Sequence, residues 1–166
     1  AKYDLVHDLM SLGLHRIWKR YFVGTSGVKR GDRILDLAGG TGDIAFRMHR
    51  QGAAITVADI NPDMLGVGEQ RAAKRGLEGL SWSVQNAETL DFGDAMFDAY
   101  TIAFGIRNVT HIDRALVEAH RVLRRGGRFY CLEFSTTLWP GFAEIYDAYS
   151  HKIVPRVGQM IAGDAE

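Results

Sequence analysis

Residues 35–43 read LDLAGGTGD. With Arg33 and Ile34 the apolar half makes a short strand, RILDL (33–37), which runs without a break into Gly39, Gly40 and Gly42. Glycines there allow a tight turn and let a ligand approach the backbone closely. A helix to about Arg50 follows, and Gly40, Gly42 and Ala45 satisfy the pattern G-x-G-x-x-[G/A] between a strand and a helix. Taken singly, that pattern equally describes a turn that packs a helix on a strand, so the neighbouring segments have to choose.

They continue the alternation. A second strand, AITVAD (54–59), is followed by Asn61 and Pro62, a helix cap and first helical residue, and Gly76 ends that helix. A third strand, LSWSVQ (80–85), and a fourth, DAYTIAF (98–104), come next. Thr110 is the expected cap of another helix, with Ile112, Leu116, Ala119 and Leu123 on one face and an end at Arg124, Arg125 and Gly126. A fifth strand, GRFYCLEF (127–134), closes the series. The order predicts an α/β fold: a doubly wound, mostly parallel sheet, ordered 3-2-1-4-5, with helices on both faces.

The whole of 1–166 reads as one domain: a helical cap over 1–24, a Rossmann-like core over 33–135 and a helical lid over 138–166. In the cap, Leu14, Ile17, Trp18, Tyr21 and Phe22 have helical spacing and are expected to pack on the core, a role at a membrane surface or against a hydrophobic substrate being the lesser reading. In the lid, Phe142, Tyr146, Tyr149 and Ile153 form an aromatic stripe. Twenty Lys and Arg balance 20 Asp and Glu, so no bulk attraction to nucleic acid is expected. The single cysteine, Cys131, and the absence of close His/Cys spacing point to a reducing, cytoplasmic setting with no metal site. No apolar run reaches the ~18–20 residues of a membrane span.

Charge bears on what the glycine loop holds. A pyrophosphate favours the bare positive end of a helix, but Asp43 lies in the first helical turn and Asp36 in the strand just before the loop. Two carboxylates suit a ligand carrying an ammonium and a sulfonium, as S-adenosylmethionine (SAM) does. Asp59, at the end of the second strand and 17 residues past Gly42, can accept hydrogen bonds from both ribose hydroxyls. After the third strand comes NAE (86–88), where Ala87 leaves room for an adenine ring and the Asn86 amide or nearby backbone can meet its edge. Each mark has a plainer reading as a turn; three in register favour binding.

With these residues in place the chain resembles the ubiquinone/menaquinone-biosynthesis C-methyltransferase family, SAM-dependent enzymes of the Rossmann-like class. YDLVHDLMSLGLHRIWKR, LDLAGGTGD, ADINPDML, NAE, FGIRNV, RVLRRGGRFYCLEFS and YDAYSHKIVPRVG are similar to its signature segments, in its order. The resemblance implies methyl transfer from SAM to a ring carbon of a polyprenylated benzoquinol or naphthoquinol, with Thr41, Asp59, Asn86 and Ala87 as cofactor contacts beside Gly40 and Asp36. It also implies a hydrophobic quinol as partner, with peripheral membrane or biosynthetic-complex association as a further expectation. Ala103 stands where the family usually has serine. The family has residues before KYD and after GDAE, so a shortened chain is expected, lacking the closing C-terminal strands and leaving the fifth strand as an open edge.

In the order 3-2-1-4-5 the loops after the first and fourth strands face each other across the crevice. The second is FGIRNV (104–109), which makes Arg107 and Asn108 the expected catalytic residues. Ring methylation needs an electron-rich phenolate, and the Arg107 charge can stabilise that oxyanion while a water or His111 relays the proton. Glu133 is a second candidate base. The plain alternative for Arg107 is an ion pair with the following helix. Two other functions stay open at this point: a nicotinamide-dependent oxidoreductase, disfavoured by Asp36 and Asp43, and a SAM-binding module without turnover.

Overall fold

The computed structural model describes residues 14–133, with side chains from residue 17 onward. Of its two compact units, that over Tyr21–Phe134 holds every strand described. The elements are α1 (Leu14–Thr25), β1 (Arg33–Leu37), α2 (Asp43–His49), β2 (Ala54–Asp59), α3 (Pro62–Lys74), β3 (Leu80–Val84), β4 (Phe97–Ala103), a 3₁₀ turn (Ile106–Asn108), α4 (Ile112–Val122) and β5 (Leu123–Leu132). The five strands form one sheet in the order β3-β2-β1-β4-β5, and every pairing is parallel. This is the expected topology. Among the described residues β5 pairs with β4 alone and is the outer strand on its side.

Strand periodicity sorts the core into two layers. From β1, Ile34 joins Ile55, Val57 and Ala99 on one face, beneath Ile44, Ala45 and Met48 of α2, Leu65 of α3, and Phe22 and Val23. Leu35 and Leu37 point the other way, to Ala58, Tyr100, Ile102 and, from α4, Ala119 and Val122. The central strands are therefore largely buried on both faces, in keeping with their mainly apolar composition, while β3 and β5 are partly exposed. Asn61 caps α3 as expected, its side chain accepting from the amides of Asp63 and Met64 at 2.9 and 3.3 Å.

Four details differ from the sequence reading. The α4 cap is His111 rather than Thr110, and it makes no side-chain cap bond. The buried stripe of α4 is Ala115, Ala119 and Val122, whereas Ile112 and Leu116 are exposed; alanines let the helix lie close on the bulky Tyr100 layer. β5 starts at Leu123, not Gly127, because Leu123 is already extended (φ −78°, ψ 132°) and pairs with Phe97 ahead of an irregularity. In α1, Phe22 enters the core with Val23, while Ile17, Trp18 and Tyr21 are exposed, so only part of the expected stripe is buried. The lid expected over 138–166 and its aromatic stripe lie outside the described residues.

Candidate cofactor site

Parallel pairing sets Leu37 opposite both Ala58 and Ile102, so the chain leaves β1, β2 and β4 along one edge of the sheet. Directly after β1 and β4 stand Ala38 (φ 51°) and Phe104 (φ 58°), two non-glycine residues in the left-handed region. Such conformations cost energy and gather at functional sites. The two loops touch: a Cβ on Gly105 would collide with the Ala38 methyl, so a glycine is needed there. The facing pair expected from topology, AGGTGD and FGIRNV, is thus brought together at the switch point of the sheet.

Asp59 ends β2, partly buried. Its Oδ2 accepts from the Gly40 amide and its Oδ1 from the Asn61 amide, both at 2.9 Å. Backbone donors thereby lock the carboxylate in place, while each oxygen keeps acceptor capacity for a diol. Gly40 has φ 53°, and a Cβ there would have Met64 Cε at 3.3 Å and Asp59 Oδ2 at 3.9 Å.

The two acidic groups by the loop prove unlike one another. Asp36 is 1% exposed, and its Oδ1 accepts from the Thr101 hydroxyl at 2.8 Å. It lies under the loop, with Oδ2 3.2 Å from where a Cβ of Gly39 would stand. Asp43 instead pairs with Arg47 one turn on, at 3.4 Å. Asp36 is consequently the main acidic group set against a pyrophosphate, a neighbouring cation offsetting Asp43. Thr41 accepts from Arg71 Nη1 of α3 at 2.8 Å.

After β3, Asn86 Oδ1 accepts from the Glu88 amide at 3.0 Å, and its carbonyl from the Thr89 amide at 3.1 Å. Asn86 therefore shapes the turn with its own side chain, and Ala87 is partly buried against the second core layer. Arg107 and Asn108 sit in the 3₁₀ turn, both exposed. Arg107 Nη1 pairs with Glu133 Oε1, the residue just past β5. The His111 amide donates to Glu88 Oε1 at 3.0 Å, tying the loop after β4 to the loop after β3. Ala103 is the last residue of β4 and offers no hydroxyl.

Thr101, Arg71 and Glu88 contact the candidate site residues or tie their loops together, and the sequence did not single them out. Thr101 stands opposite Asp36 in register, a relation visible only once β1 and β4 are paired. Arg71 lies 30 positions from Thr41, and Glu88 lies 23 from His111, with no spacing rule to join them.

A parallel sheet ordered 3-2-1-4-5, a glycine loop after β1 above a buried acid, and a carboxylate ending β2 together give the architecture of the class I SAM-dependent methyltransferases. The model of the ubiE/COQ5 methyltransferase family matches residues 1–166, and the chain belongs to that family. The chain is 58% identical over 166 residues to the ubiquinone/menaquinone biosynthesis C-methyltransferase UbiE of Zymomonas mobilis, a match over 100% of this chain and 69% of that protein. To the mitochondrial 2-methoxy-6-polyprenyl-1,4-benzoquinol methylase of Arabidopsis thaliana it is 49% identical, over 100% of this chain and 65% of the relative. A SAM-dependent methyltransferase from Aquifex aeolicus superposes with a TM-score of 0.66 at 16% identity, covering 83% of this chain and 77% of its own. At that identity the likeness concerns the fold.

Proposed function

We propose that the chain transfers the methyl group of SAM to a ring carbon of a polyprenylated benzoquinol or naphthoquinol in quinone biosynthesis. The observation that carries this reading is the match along the whole chain to two relatives bearing such names, combined with a crevice whose walls are AGGTGD and FGIRNV. When bound, SAM supplies an electrophilic methyl on a sulfonium. The residues suited to hold it are Asp59 for the ribose hydroxyls, Gly40 and Thr41 on the loop, Asp36 beneath it, and Asn86 with Ala87 at the adenine end. Their chemistry fits: a buried acid lies beneath the loop that would hold a cationic ligand, and Ala87 is small where a flat ring needs room.

Arg107 acts on the acceptor ring. Its guanidinium has five N–H donors in a rigid fork, so one can hold Glu133 while others meet a ring oxygen. There the positive charge lowers the cost of the phenolate and directs electron density to the adjacent carbon. Glu133 orients Arg107, Asn108 lies beside it to position the ring, and a water or His111 carries the proton away. Alignment of the reacting atoms in a water-excluded crevice accounts for much of the remaining rate.

No helix among the described residues is long and apolar enough to cross a membrane. A polyprenyl tail nevertheless resides in lipid, so the chain works at a membrane surface or within a biosynthetic assembly. The test is a labelled-methyl assay offering short-chain benzoquinols and naphthoquinols with SAM, alongside vesicle flotation. Label in the ring of either quinol is expected; label in neither, with SAM bound, would overturn the proposed substrate.

A further inference from the structure

We infer that Arg71 is a positioning residue for the carboxylate end of SAM, acting through the Thr41 hydroxyl. The inference rests on the reading that this loop binds SAM. Arg71 belongs to α3, three residues after Gly68, the point where the helix lies against the backbone of Thr41. Its Nη1 donates to Thr41 Oγ1 at 2.8 Å, and its guanidinium carbon stands 5.9 Å from the centroid of the Phe46 ring. Stacking and hydrogen bonding together hold one rotamer of a long side chain. Among the described residues no carboxylate lies within ion-pair distance of Arg71, so its charge is not spent on a partner there.

A threonine hydroxyl has one proton to donate and two lone pairs. Since arginine can only donate, Oγ1 is the acceptor in this bond, and the hydroxyl proton must be directed away from Arg71. A cation on the oxygen polarises the O–H and strengthens it as a donor. The group that Thr41 offers the crevice is therefore a fixed, polarised donor, suited to an anionic oxygen. In SAM the one anionic group is the carboxylate of its amino-acid end; the ammonium and sulfonium are disfavoured partners for it.

The experiment is calorimetric titration of the intact chain with SAM and with decarboxylated SAM, in the wild type, Arg71→Met, Arg71→Lys and Thr41→Val, with thermal unfolding to verify that each variant is folded. Arg71→Met and Thr41→Val should each bind SAM about tenfold more weakly, the scale of one charge-assisted hydrogen bond. Affinity for the decarboxylated ligand should change by less than about twofold. The double variant should lose no more than either single one, and Arg71→Lys should recover part of the loss. An equal loss for both ligands would reduce Arg71 to a brace for the loop and overturn the inference, as would unchanged SAM affinity. A wild type that binds neither ligand would instead defeat the cofactor reading on which this rests.

Discussion

Gly66 and Gly68 stand two residues apart in α3, and replacement by alanine should act on them with opposite sign. A Cβ on Gly66 meets nothing within 4 Å, so the substitution removes only the penalty of glycine in a helix, about 0.8–1 kcal/mol. A Cβ on Gly68 would lie 2.5 Å from Trp82 Cζ3, 2.6 Å from Cη2 and 3.0 Å from the carbonyl carbon of Thr41. Carbon atoms rest at about 3.5–4.0 Å, so the indole must yield by about 1 Å and the glycine loop by about half that. The indole has little room, since its edge meets the Phe46 ring at a centroid distance of 6.3 Å and an interplanar angle of 71°. Overpacking of this kind costs about 1–3 kcal/mol, which the gain in helix propensity offsets by about 1. Gly68→Ala should thus lower stability by up to about 2 kcal/mol, or roughly 4–8 °C in Tm for a chain of this size. Because the displaced backbone is Thr41, SAM affinity should fall about tenfold in that variant and stay unchanged in Gly66→Ala. Urea unfolding and SAM titration measure both quantities, and Trp82→Phe should relieve part of the Gly68→Ala defect. If Gly68→Ala proves as stable as Gly66→Ala with full affinity, α3 does not set the position of the loop and the packing argument fails.

Other outcomes can be checked independently. Asp59→Asn keeps the shape of the side chain but lacks the charge and one acceptor site, and should weaken SAM binding at least tenfold by calorimetry; unchanged binding would remove the ribose role. Arg107→Ala should retain SAM affinity and lose most turnover in the labelled-methyl assay, and an unaltered rate would exclude it from the chemistry. Glu118 is held below its ordinary pKa of 4.5, chiefly by hydrogen bonding from Arg121 and further by the Leu90 amide. A lowered folded value means its stabilising contribution is complete above about pH 4.5 and is lost as pH falls through the lower folded value. Acid unfolding of Glu118→Gln should accordingly begin from a lower stability and show a shallower pH dependence, with an unchanged slope counting against the assignment.

How far local sequence carries can be judged residue by residue. The strand RILDL, the glycine turn and the Asn61–Pro62 helix start are written in neighbouring residues, where propensity, capping and alternation act over a few positions, and all three are realised. Asp59 was visible for the same reason: the end of a strand is a local feature, and topology says what lies beyond it. The α4 face was read correctly at Ala119 and Leu123 but not at Ile112 and Leu116, which look like core by hydrophobicity alone, whereas the sheet beneath selects Ala115 and Val122.

Pairwise relations across the sheet divide the two kinds of information. Chain order and short-range chemistry were enough to specify the strand series, the class of fold and an adenosine-binding edge. They could not tell that Asp36 is buried against Thr101, that Arg107 is held by Glu133, or that Arg71 reaches Thr41. Those partners lie 26 to 65 positions apart and meet only when strands and helices have packed. Burial and charge compensation are properties of the assembled neighbourhood, so the electrostatics of the site belong to the tertiary structure even though each charge was legible in the chain.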